Sequence, residues 1–208
     1  AYAVKIYKTY GNDSINIVKS NPYRLADDIW GIGFKTADKI ARQLGFDENS
    51  FERCRSGILY VLNELSNEGH CYAEREQLLS ETEKMLGLDS ELINSTIDRM
   101  IEEKSVILDE ENTIYLPPFY FSETGTAKRI REILSSHSFY NNMDTDNVTK
   151  KVQDECGIKY DEVQLEAIRT AAKSKFMILT GGPGTGKTTT TQAVIKVFQK
   201  FGAKVLLA

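Results

Sequence analysis

Residues Gly181, Gly182, Pro183, Gly184, Thr185, Gly186, Lys187 and Thr188 follow the spacing G-x-x-x-x-G-K-[ST], a pattern suited to holding a phosphate chain. Glycines let backbone N–H groups turn toward an anion without Cβ clashes. A helix opening after Gly186 adds unpaired donors and partial positive charge. In such a loop the Lys187 ammonium neutralises the β and γ phosphates of a nucleoside triphosphate, and the Thr188 hydroxyl is a ligand for Mg2+. Thr188 to Thr191 are four successive threonines, β-branched and poor helix starters, and their run reads more easily as hydroxyls facing phosphate than as helix propensity. Thr189 joins the candidate phosphate contacts on that ground. The bland alternative is a Gly-rich turn that binds nothing. Context weighs against it, because the apolar run Phe176 to Leu179 before the loop predicts a parallel strand buried on both faces. After the loop, Ala193, Val194 and Val197 predict the inner face of a helix.

Gln164 lies on a predicted helix ahead of that strand. Its amide can donate and accept at once, matching the N6 and N7 edge of adenine, though an ordinary surface glutamine satisfies the same sequence. A second chemistry-bearing stretch is "WGIGFKTADKIA". Gly31, Ile32 and Gly33 mark a sharp turn between two helices, leaving N–H groups at the start of the second helix for a phosphate. Lys35, Thr36 and Lys39 occupy that helix's first turns and suit sequence-independent contact with a nucleic-acid backbone. A plain antiparallel helix pair joined by glycines is the competing reading. Trp30, flanked by Ile29 and Ile32, is expected to pack inward rather than serve as a base-stacking platform.

The elements that position these groups separate into zones. Residues 1–48 read as a helix-hairpin-helix region, with Val4, Tyr7 and Lys8 on a helix stopping at Gly11, and Asn21 capping a helix with Pro22 in its first turn. The following helix presents Ala37, Ile40, Ala41 and Leu44 on one face and ends near Gly45. Residues 49–120 contain three helical patterns, with Ile58, Leu62 and Leu65, then "EREQLLSETEKML", then Leu92, Ile93, Ile97, Met100 and Ile101. Two short strands around an acidic turn follow in "SVILDEENTIYLPP". This is the order of a winged helix, whose third helix is acidic and a poor reader of the major groove. Residues 121–150 are expected to be a helical connector and polar linker, and 151–208 the beginning of a phosphate-loop α/β lobe. The predicted class is mainly α with a small β hairpin, followed by the start of an α/β domain.

Lys plus Arg number 26 against 30 Asp plus Glu, a net charge of −4, so no global basic field draws the chain to nucleic acid. Residues 1–46 differ, with seven Lys or Arg against four Asp. Any nucleic-acid surface is therefore local. Three scattered cysteines, Cys54, Cys71 and Cys156, argue against a disulfide framework and for a reducing, cytoplasmic setting. His70 beside Cys71 and the lone His137 do not supply the four converging groups of a zinc site. No apolar run approaches the ~20 residues that span a bilayer, and the first residues lack a signal-peptide layout.

With "NPYRLADDIWGIGFKTADKIARQLGF", a three-helix and hairpin region, "YDEVQLEAI" and "ILTGGPGTGKTTTT" in that order, the chain resembles the N-terminal portion of the RecD-like ATP-dependent DNA helicases over nearly its whole length. The resemblance implies superfamily 1 chemistry: ATP hydrolysis with Mg2+ between two RecA-like lobes, and 5′ to 3′ translocation on single-stranded DNA in repair or recombination. It implies adenine recognition by Gln164, phosphate and magnesium contacts by Lys187 and Thr188, and DNA contact by the hairpin around Gly31 to Gly33, with single strands or DNA junctions as partners. The chain is accordingly expected to be cut at both ends, without the acidic pair, second lobe and arginines that complete such a motor, and to be inactive alone. Two other readings stay open: a different phosphate-loop ATPase of the AAA+ type, or a DNA or protein docking module without enzymatic activity.

Overall fold

The computed structural model describes residues 2–136, 140 and 142–207, and His137 lies outside them. Two compact units divide the chain, Ala1–Thr124 and Gly125–Ala208. The first unit opens with α1 (Tyr2–Tyr10), a 3-10 turn (Gly11–Asp13) and α2 (Ser14–Ser20), then α3 (Arg24–Asp28) and α4 (Phe34–Gln43). The expected cap at Asn21 is displaced: α3 begins at Arg24 with Tyr23 before it and no side-chain cap, and Asn21 instead closes the preceding turn, its side chain accepting from the Tyr23 N–H at 3.0 Å and its carbonyl from the Arg24 N–H at 3.3 Å. Helix α4 buries Ala37 and Ala41 and half-buries Ile40 along the predicted stripe. Leu44 departs from it at 49% exposure, because it sits past the last helical residue, where Gly45 turns the chain away.

Next come α5 (Phe51–Asn67), β1 (Tyr72–Glu74), α6 (Arg75–Leu86), α7 (Ser90–Glu102), β2 (Ile107–Leu108) and β3 (Thr113–Tyr115). Ser50 and Asp89 cap α5 and α7 with their side chains, each accepting a backbone N–H of the first turn. The periodic apolar residues Ile58, Leu78, Ile93, Ile97 and Met100 meet in one core with Ile114 of β3, all fully buried. The small sheet has the order β1-β3-β2 and is antiparallel throughout, with Ala73 opposite Ile114 and Leu108 opposite Ile114. Strand β1 is an addition to the predicted two-stranded hairpin. "CYAE" is too short for alternation to register, and only pairing with β3 makes it a strand. The acidic turn closes through Asp109, whose side chain accepts from the Glu111 N–H at 2.7 Å and the Thr113 hydroxyl at 3.2 Å. Helix, strand, two helices and two strands is the winged-helix order.

The unit boundary falls within α8 (Pro117–Ser135), which Pro117 and Pro118 begin. The second unit then holds α9 (Thr145–Cys156), α10 (Glu162–Lys173) and α11 (Lys187–Lys200). Helix α9 starts inside the stretch expected to be linker. Its polar composition hides a single apolar edge, Val148, Val152 and Cys156, that packs with Tyr160, Ile168, Ala193 and Val197. Residues 175–180, expected to be a strand buried on both faces, form no regular element, and Ile178 is 76% exposed. A parallel strand needs neighbours on both edges and helices on both faces, and among the described residues no strand pairs with this one. The fold class is nevertheless the one predicted: mostly helical, with a small sheet and the opening of a phosphate-loop lobe.

Candidate nucleotide and nucleic-acid sites

In the second unit, extended chain leads into the loop and α11 leaves it. Gly184 and Gly186 both have φ +75°, the left-handed region where a side chain is strained, so the loop's curvature needs glycine at these two positions. A Cβ on Gly186 would lie 2.6 Å from Gln164 Nε2, and one on Gly181 would lie 2.8 Å from Thr185 Oγ1. The Lys187 ammonium donates to the carbonyls of Gly181 and Gly182, so its charge stands over the mouth of the loop. Thr185 Oγ1 donates to the Gly182 carbonyl at 2.9 Å and pins the turn.

The threonines after Lys187 divide in role. Thr190 is buried, and its hydroxyl donates back to the Gly186 carbonyl at 3.0 Å; the Thr191 hydroxyl donates to the Lys187 carbonyl at 2.9 Å. These two serve the helix rather than a ligand, which corrects the reading of the whole run as phosphate contacts. Thr188 is exposed and Thr189 half-buried at the first turn, as an anion site requires.

Gln164 and Asp161 form a capping box at the start of α10: Asp161 accepts from the Gln164 N–H at 2.8 Å, and Gln164 Oε1 accepts from the Asp161 N–H at 3.0 Å. That bond holds the amide, while Nε2 faces Gly186. Gln164, Thr180, Gly181, Thr185 and Lys187 line one cleft of about 270 Å³. The glutamine thus caps α10 and also lies at the cleft. The donor set fits a triphosphate with its magnesium: a cation over the loop, hydroxyls at the helix start, and a cradle in which a Cβ at Gly181 or Gly186 would crowd its neighbours.

In the first unit, Gly33 starts α4 without any side-chain cap, and its carbonyl accepts from Thr36 and Ala37. The preceding N–H groups of this terminus have no intrahelical acceptor. Lys35 and Lys39 are exposed and four residues apart, on one face, and Thr36 is half-buried beside them. Lys35 Nζ stands 5.5 Å from the ring centroid of Tyr60 on α5. Ile32 differs from the other hairpin residues. Its side chain is buried at 2% exposure and its N–H donates to the Ile29 carbonyl at 3.0 Å, so it anchors the turn and has neither group left to offer.

Trp30 overturns its sequence reading. It is 94% exposed, because the tight bond from Ile32 to Ile29 places both isoleucines inward and throws the residue between them outward. Gly31 has φ +86°, and Lys5 Nζ donates to the Trp30 carbonyl at 3.2 Å while lying 5.7 Å from the indole centroid.

What fixes α4 is a network the sequence does not announce. Arg53 of α5, only 2% exposed in its side chain, donates from Nε to Asp38 Oδ1 at 2.8 Å and from Nη1 to the Glu48 and Leu86 carbonyls at 3.0 and 3.3 Å. The Tyr23 hydroxyl donates to the same carboxylate at 2.8 Å, and Arg42 Nε to its other oxygen at 3.2 Å. Burial alone would raise the Asp38 carboxyl, but hydrogen bonds from Arg53 and Tyr23 and the nearby arginine charges hold it below its usual value. Burial and the bond to Asp38 push the Tyr23 hydroxyl well up. In the hairpin region Asp28 pairs with Arg24, Asp27 with Arg55 and Asp38 with arginines, whereas among the described residues Lys35 and Lys39 are in no ion pair. The acids are thus neutralised locally and the lysines carry the field.

The fold and these two candidate sites outline a class: a chain with a phosphate loop and a helix-hairpin-helix element. The comparisons narrow it. Residues 1–72 match the family model described as "ATP-dependent RecD2 DNA helicase HHH domain", and residues 164–208 the model described as "AAA domain". An ATP-dependent RecD2 DNA helicase of Deinococcus radiodurans is 27% identical over 98% of this chain and 30% of its own length. The RecBCD enzyme subunit RecD of Haemophilus influenzae is 57% identical over 37 residues, 18% of this chain and 6% of its own. The chain is thus similar to the RecD-type helicases, and it spans about 30% of the length of the Deinococcus relative.

Proposed function

We propose that these residues are the DNA-contacting front and the phosphate-binding start of an ATP-dependent DNA helicase that moves 5′ to 3′ on single-stranded DNA, in repair or recombination and in the cytoplasm. One observation carries the reading: Lys187, Gln164, Gly181 and Thr185 of the glycine loop line a single cleft, on a chain whose other unit presents an uncapped, lysine-bearing helix-hairpin-helix turn. Residues 1–48 would contact DNA, 49–120 form the winged-helix-like region, 121–150 connect, and 151–208 begin the nucleotide lobe.

Bound ATP with Mg2+ supplies the free energy for movement. The chain's own part is to hold it. Loop N–H groups of Gly182, Gly184, Thr185 and Gly186, about Pro183, surround the phosphates. The Lys187 ammonium neutralises their charge, Thr188 binds the metal with Thr189 beside it, and the Gln164 amide meets the adenine edge. At the hairpin, Gly31, Gly33, Lys35, Thr36 and Lys39 would hold a DNA backbone without reading sequence. No helix among the described residues is long and apolar enough to cross a membrane.

The test is equilibrium binding of a fluorescent ATP analogue, with Mg2+, to the 208-residue chain. Binding that the Lys187→Ala variant loses, with no hydrolysis by either protein, is expected. Equal binding by the variant contradicts the site. Turnover by the chain alone that survives the substitution contradicts both the site and the claim that the chain needs more of the protein to act.

A further inference from the structure

Trp30 and Gly31 are the two central residues of the turn that Ile32 N–H to Ile29 carbonyl closes, and φ of +86° at Gly31 is the signature of a turn with glycine in its third place. The isoleucines on either side are core residues, so the turn is rigidly seated while the indole stands out at 94% exposure. Lys5, from α1, braces the turn from outside through the Trp30 carbonyl. Single exposed apolar side chains are ordinary on protein surfaces. A tryptophan on an anchored turn is different, because its backbone is already fixed and only side-chain freedom remains to be lost on binding. The turn leads within three residues to the uncapped N-terminus of α4 and to Lys35. An aromatic face next to backbone donors and a cation has the composition of a single-strand site, where bases stack and phosphates are held beside them.

We propose that Trp30 stacks on an unpaired base of single-stranded DNA whose phosphates lie against the start of α4. The proposal rests on the reading of the hairpin as a DNA contact and adds to it a group that engages bases rather than backbone. It also gives the turn a preference for single strands, since paired bases within a duplex present no open face to the ring.

The chain has one tryptophan, so its emission reports on this residue alone. The experiment titrates the 208-residue chain with an oligothymidylate of about 16 nucleotides, the upper end of a single-fold site. Tryptophan emission is followed beside the anisotropy of a labelled copy of the same strand. Saturable quenching with the same midpoint as the anisotropy is expected. Trp30→Ala should weaken affinity about tenfold, and Trp30→Phe should restore most of it. The dependence of affinity on salt should stay unchanged in both, because no charge is removed. Binding that depends on Lys35 and Lys39 but leaves emission unmoved and Trp30→Ala unaffected would overturn the stacking and leave the hairpin reading standing. Unaltered binding by the Lys35→Glu, Lys39→Glu double variant would instead overturn the hairpin reading, and the stacking with it. Equal quenching by a blunt duplex contradicts the choice of an unpaired base. Reduced self-association of Trp30→Ala with unaltered DNA affinity would assign the ring to protein contact and overturn the proposal.

Discussion

Lys187 donates to two carbonyls of its own loop, bonds that a phosphate would replace with charge-assisted ones of roughly twice the strength. Lys187→Ala should therefore weaken MgATP binding by about ten- to a hundredfold with helix content unchanged, read by nucleotide titration and circular dichroism. Gly186→Ala acts through geometry. A left-handed φ of +75° and a Cβ 2.6 Å from Gln164 Nε2 should cost about 1–2 kcal/mol and displace the glutamine from the cleft, measured as a lower urea midpoint with weaker nucleotide binding. On the hairpin, Lys35→Glu and Lys39→Glu should each weaken single-strand binding alike for all sequences and reduce the salt slope by about 1. An unchanged slope would remove these lysines from the DNA surface.

The pairing of α4 with α5 rests on the Asp38 and Arg53 contact more than on charge at the surface. Arg53→Ala leaves a half-buried carboxylate without its main partner and should cost about 3 kcal/mol, seen in urea unfolding of the whole chain. The Asp38 carboxyl is held below its ordinary value of 3.8 in the fold. Its contribution is present above that value and is lost as pH falls through the depressed one, so stability should decline below about pH 4. Asp38→Asn should lessen that decline. Nothing in the sequence marks Arg53, which reads as one more charged residue near the start of a helix. Its role follows from a long-range meeting that periodicity does not encode. Trp30 fails for a related reason: Ile29 and Ile32 both lie inward, Ile32 against its expected DNA contact, and the turn closed between them sends the residue after Ile29 outward. By contrast Ile58, Ile93, Ile97 and Met100 are legible because helical spacing alone decides which face they share. The phosphate loop is legible because its glycines and lysine are adjacent in sequence. The clash a Cβ on Gly186 would make with Gln164 is not, since two segments supply it.

At the scale of the molecule, residues 175–180 and 203–207 lie outside any helix or sheet and expose Ile178, Leu206 and Leu207 at 76–80%. Few backbone bonds hold these segments, so their amides should exchange with solvent far sooner than those of α5 or α7, where the core is complete. Exchange followed by mass spectrometry checks this, and comparable protection in both places would contradict it. The chain spans 30% of the length of the Deinococcus relative. Coupling between DNA and nucleotide, which the proposed function requires, is a property to test in the full-length protein. The most direct measurement is steady-state ATP hydrolysis by that protein, with and without single-stranded DNA, beside its Lys187→Ala variant. The account predicts strong stimulation by DNA that the substitution abolishes. Hydrolysis that ignores DNA, or that survives the loss of Lys187, would contradict it.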